Sequence, residues 1–149
     1  MNRITVLSII GLALLNVLLP ANQASAQSAK MEIILVEASN SAKGVDKSLA
    51  PYASTLKRLF KFDTYRKASS SRINLDIPGS SSARLGGEGG SLKVSAESLK
   101  GNAIRAGLNW TRGNRQLLHT RLQLRKGTPA VLGGPRSGDG SYLLLIIWK

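Results

Sequence analysis

The chain has no cysteine, a single histidine (His119), and 8 acidic residues against 21 lysines and arginines in 149. Without cysteine there is no disulfide scaffold, no thiol chemistry, no Cys-ligated zinc or iron–sulfur site, and no cysteine-borne lipid anchor. With one histidine, a His-rich metal site or a Cys–His nucleophile pair cannot form within one chain. A Ser-His-Asp arrangement stays open because serines are plentiful, but no G-x-S-x-G elbow accompanies them. No cofactor or metal is implied.

Long hydrophobic runs are also missing. The longest, Ile4–Leu19, covers sixteen residues and is broken only by polar Thr5, Ser8 and Asn16. As a helix it would reach roughly 24 Å, short of the ~30 Å hydrocarbon core of a bilayer. Arg3 precedes it, and Pro20 and Ala24-Ser25-Ala26 follow. That order predicts a secretory signal peptide over residues 1–26, cleaved after Ala26, and so a secreted or periplasmic protein. A leader of 26 residues leaves 123 of the 149. That is one domain, 27–149, large enough to bury roughly two-thirds of its unfolded surface without disulfides. A cysteine-free chain in an oxidising compartment fits a bacterial periplasm better than a eukaryotic secretory route.

The shortage of acids gives a formal net charge of +13, or +12 once Arg3 leaves with the leader. Outside the cytoplasm, such a charge points to anionic lipid, lipopolysaccharide phosphates, acidic glycans or an envelope protein before nucleic acid.

Among the elements, Met31–Ala38 is an apolar, β-branched run that reads as a mostly buried strand. Ser48 is the expected N-cap of one amphipathic helix. Its stripe of Leu49, Tyr52, Ala53, Leu56, Leu59 and Phe60 is expected to face the core. Short strands are expected around residues 62–68, at Ile73–Ile77, Leu92–Ala96 and Ala130–Leu132. The Gly/Ser-rich stretches 79–91 and 133–141 read as flexible connections. Tyr142–Trp148, seven apolar residues in a row, reads as a central strand covered on both faces. The fold class is α+β, a mainly antiparallel sheet of about 6–8 strands with one amphipathic helix after the first.

The sharpest expectation is a hairpin. A two-residue Gly113-Asn114 loop would pair Leu108 with His119 and mix core with solvent. A three-residue loop pairs Trp110 with Leu118, Leu108 with Thr120, Ala106 with Leu122 and Ile104 with Leu124, so the odd-numbered loop, with a bulge, is the expectation. The opposite face then carries Arg105, Asn109, His119, Arg121, Gln123 and Arg125, with Arg112 and Arg115 flanking the tip. Of these, Arg105, Asn109, Arg112, Arg115, His119, Arg121 and Arg125 are the candidate anion- or partner-binding residues, since arginine on a rigid sheet can fork onto phosphate or carboxylate. Trp110 points to the core side, which leaves no aromatic on this face to stack bases.

Other motifs fail on their own chemistry. Ser54-Thr55-Leu56-Lys57 fits S-x-x-K but lacks its S-D-N companion. Gly86–Gly90 lacks the Gly-Lys-Ser/Thr ending of a phosphate loop, and Gly133–Gly140 lacks calcium-loop spacing. The layout of Leu59–Tyr65 and Arg125–Pro135 around an apolar last strand resembles secreted or periplasmic bacterial proteins of unknown function. The Gly-Gly before that strand is similar to the ends of some envelope β-domains, parts of secretins among them. These resemblances imply a location and no catalytic residues. The functional expectation is a non-enzymatic domain binding an anionic envelope component or an envelope protein through the basic hairpin face. One alternative is an adaptor or assembly subunit using sheet-edge pairing, and another is a small hydrolase using His119.

Overall fold

The computed structural model describes residues 27–41 and 44–149. The expected leader, residues 1–26, lies outside them.

Among these residues nine strands form. They are β1 (Gln27–Ser39), β2 (Gly44–Val45), β3 (Thr64–Ile77), β4 (Gly79–Leu85), β5 (Gly90–Lys100), β6 (Ala103–Arg112), β7 (Arg115–Arg125), β8 (Ala130–Ser137) and β9 (Gly140–Trp148). Instead of one sheet they form two, ordered β2-β3-β1-β9-β8 and β4-β5-β6-β7. All pairings are antiparallel except the two-residue β2, which runs parallel to β3. The chain crosses between sheets at the cis Ile77–Pro78 bond, where β3 ends and β4 begins.

The sheets face each other over one core. Met31, Ile33, Leu35, Leu75, Leu144 and Ile146 come from the first sheet, and Leu92, Val94, Ile104, Leu108, Trp110 and Leu124 from the second. The strands β1 and β9 are apolar on both faces because the first sheet is covered twice. Their other residues, Ile34, Val36, Ala38, Leu143, Leu145 and Ile147, pack under a helical layer with Leu49, Leu56 and Tyr65. The expectation for Tyr142–Trp148 therefore holds: β9 lies between β1 and β8, and Leu143–Trp148 are all buried.

The helical layer begins as a 3-10 turn, Lys47–Tyr52, and continues as α1 (Ala53–Leu59). It follows the short β2 rather than the first strand directly. Its N-cap is Asp46, not Ser48. The Ser48 backbone N–H (2.9 Å) and hydroxyl (2.8 Å) both donate to Asp46 Oδ1, and these bonds hold its carboxyl below the usual range. The expected apolar stripe is buried at Leu49 and Leu56, but Leu59 is 53% exposed. The helix stops at Leu59, Phe60 turns extended (φ −131°, ψ 146°), and Phe60 takes the inward place instead.

The two glycine-rich stretches are not loose connections. Residues 79–85 form β4 across from β5, and Gly133–Ser137 belong to β8. Both clusters close on Trp110, whose Nε1 donates to the Gly89 carbonyl at 2.6 Å while Gly134 lies against its six-membered ring. Glycine is needed at Gly134 because any Cβ would run into that ring.

Candidate anion-binding face

The β6–β7 hairpin has the expected register. Trp110 pairs with Leu118, Leu108 with Thr120, Ala106 with Leu122 and Ile104 with Leu124. The loop length differs from the expectation: the tip is not an odd-numbered loop but the two-residue Gly113-Asn114 turn, closed by the Arg112–Arg115 pair, with Gly113 at φ 57°. The odd residue is a bulge at Leu117, between the Trp110–Leu118 and Thr111–Gln116 pairs. A turn that would invert the strand is thus corrected one step later by the bulge.

That register puts Trp110 inward and Arg105, Asn109, His119, Arg121 and Arg125 on the outer face of the second sheet. Nothing in the described residues covers this face. Three further cations join it from neighbouring strands: Lys93, across from Asn109, Lys100, across from Ala103, and Arg84, across from Ser91. Sequence reasoning missed all three. Arg84 lay in a stretch read as a loop, and the partner strand of β6 could not be named from the alternation of Leu92–Ala96 alone.

At the centre, Arg105, Arg121, Leu122, Gln123 and Glu97 line a recess of about 430 Å³. Arg105 and Arg121 are diagonal neighbours across the β6–β7 pair, where like charges repel. Glu97 sits on the β5 bulge and relieves that repulsion, its Oε1 3.1 Å from Arg121 Nε. It is the single acid on the face. Arg121 is largely and Glu97 partly exposed, so the pair contributes little to stability.

A second recess of about 210 Å³ shares Glu97 and Arg121 and runs on to Lys93, Asn109 and His119, with Gly107 in its lining. A Cβ at Gly107 would meet nothing within 4 Å. No neighbouring atom demands glycine there, and its effect is to leave the face open between Arg105 and Asn109. His119 stands across from Asn109, and the carboxylate nearest in this recess, Glu97, is already engaged by Arg121. Among the described residues, no three His, Asp or Glu side chains lie together as metal ligands.

No family model, no curated protein and no solved structure matches this chain. Its function has to be read from the geometry of its own surfaces. One division there was not foreseen: the tip arginines do not belong to the outer face. Arg112 turns to the open end of the sandwich, its guanidinium 5.8 Å from the centre of the Tyr142 ring, and Arg115 lies beside it with Arg136 of β8. The described residues also include no helix long and apolar enough to cross a membrane.

Proposed function

We propose that the protein is a non-enzymatic secreted or periplasmic domain that binds an anionic component of the cell envelope through the outer face of the β4–β7 sheet. Arg105, Arg121 and Arg125 make the contacts, and Asn109 and His119 add hydrogen bonds between them. One observation carries this reading: an uncovered sheet face holds six cations, Arg84, Lys93, Lys100, Arg105, Arg121 and Arg125, against the single acid Glu97 among the described residues. Among the described residues the face carries no Phe, Tyr or Trp ring. Charge and forked hydrogen bonds to phosphate or carboxylate therefore favour anionic lipid, lipopolysaccharide or acidic glycan over base-stacked nucleic acid.

The test is co-sedimentation with vesicles containing phosphatidylglycerol and with an acidic polysaccharide. Each cation near such a surface contributes about 1 kcal/mol, so reversing three removes detectable binding. The variant Arg105→Glu/Arg121→Glu/Arg125→Glu is expected to stay folded by circular dichroism and to remain in the supernatant. Binding that survives the triple reversal, or that ignores salt, overturns the proposal.

A second reading, an adaptor working through sheet-edge pairing, has its own observation. Among the described residues, strands β7 and β8 each lack a neighbour on one side, and Leu117, Leu118, Leu122 and Leu132 around them are only half-buried. The apolar C-terminal strand cannot serve, because β9 is paired on both sides. Salt separates the two readings. Backbone pairing along an edge survives ionic strength that releases a complex held by charge.

A further inference from the structure

The open end of the sandwich, where the hairpin tip meets β8, presents a concentration of charge that the outer face does not explain. A cavity of about 390 Å³ lies there, lined by Arg112, Arg115, Gln116, Leu117, Pro135 and Arg136. No acidic side chain lines it, and none of the three arginines forms an ion pair among the described residues. The Arg112 guanidinium is held over Tyr142, an arrangement that fixes its plane. Its Nε and Nη2 are shut away from solvent and have no hydrogen-bond acceptor. A guanidinium with two sheltered, unanswered donors is costly unless an anion answers its charge. Glu37 of β1, across from Tyr142, is already taken by Arg66 at 2.8 Å and by the Ser137 hydroxyl at 3.3 Å.

We infer that this cavity is a second anion site, specific for a phosphate-class oxyanion, with Arg112, Arg115 and Arg136 as its ligands. Three guanidiniums around one small cavity match the charge and the several oxygens of a phosphate group better than a single carboxylate. The apolar Leu117 and Pro135 walls keep the site partly dry, which strengthens those bonds. Arg136 and Arg115 are exposed and free to close on the ligand, whereas Arg112 is preset by Tyr142. The site is independent of the outer face and stands or falls without it.

The experiment follows the Arg112 side-chain Nε–H resonance by NMR during titration with inorganic diphosphate, at ionic strength held constant with sodium chloride. Saturable movement of that resonance is expected. The exposed variant Arg136→Gln is expected to weaken binding about tenfold while the fold stays intact. The outer-face variant Arg105→Glu/Arg121→Glu/Arg125→Glu is expected to keep it. A parallel arm uses phosphatidylcholine vesicles with and without phosphatidylglycerol. Movement of the Arg112 resonance by the anionic vesicles and not by phosphatidylcholine alone, seen in the wild type and absent in Arg136→Gln, assigns the phosphate to a lipid headgroup. Diphosphate binding alone assigns it to a free phosphorylated solute, and either result supports the site. A resonance that does not move, that moves equally with chloride alone, or that responds unchanged in Arg136→Gln overturns it.

Discussion

Trp110 sits at 0% exposure with its indole N–H satisfied by the Gly89 carbonyl, and glycines from two distant parts of the chain press on it. Packing this close fixes the sign of two otherwise identical substitutions. Gly134→Ala places a methyl against the Trp110 ring and is expected to cost about 1–3 kcal/mol, the usual penalty of overpacking. Gly107→Ala enters open space in the middle of β6 and is expected to stabilise by about 0.5–1 kcal/mol, since glycine weakens a strand interior. Urea unfolding of the two variants checks both, and equal effects would contradict the clamp around Trp110. The sequence showed Trp110 as a core residue through alternation alone. It could not show that Gly89 and Gly134 serve it, because glycine carries no periodic signal and a run of glycines reads as a loop.

Among the elements, what the sequence made legible follows the strength of each hydrophobic alternation. The register of β6 and β7 was readable because seven apolar residues, with Thr120, had to share one face. The fourteen-residue β3 was seen only in pieces, since Ala68-Ser69-Ser70-Ser71 holds no large apolar side chain and is carried by pairing with β1. The serine-rich β4 vanished into a loop for the same reason. The helical layer was legible in its stripe but not in its anchor, Tyr65 of β3. The Tyr65 hydroxyl donates to the carbonyl of Phe60 at 2.8 Å, and its ring meets Phe62 edge-on at 6.4 Å. Burial raises the Tyr65 pKa above its ordinary value. In this direction the folded state holds the proton longer than the unfolded one. The stabilisation is complete below about pH 10, the unfolded value, and is lost as pH rises through the higher folded value. Thermal melts of the wild type against Tyr65→Phe are expected to show a loss of about 1 kcal/mol at pH 7 and a shrinking difference above pH 10. A difference that grows with pH would show that Tyr65 does not hold its proton through that layer.

At the scale of the whole molecule, charge and fold pull in opposite directions. Two sheets rather than one give the molecule two outer surfaces, and both are basic. The second sheet presents its six cations, while the helical layer carries Lys47, Lys57, Arg58 and Lys61 with no acid from Lys47 to Phe62. Only three ion pairs offset this among the described residues, all of them with exposed cations. Self-repulsion on a surface of this kind destabilises the compact state and is screened by salt, and so is attraction to a polyanion. Raising sodium chloride from about 0.05 to 0.5 M is therefore expected to raise the melting temperature and, over the same range, to weaken binding to anionic vesicles steeply. The triple reversal of Arg105, Arg121 and Arg125 changes the formal charge by six, so its melting temperature should respond less to salt than that of the wild type. A melting temperature that falls with salt would mean that the three ion pairs outweigh the surrounding repulsion. The excess charge would then be balanced within the fold, with no need of an external anion to answer it.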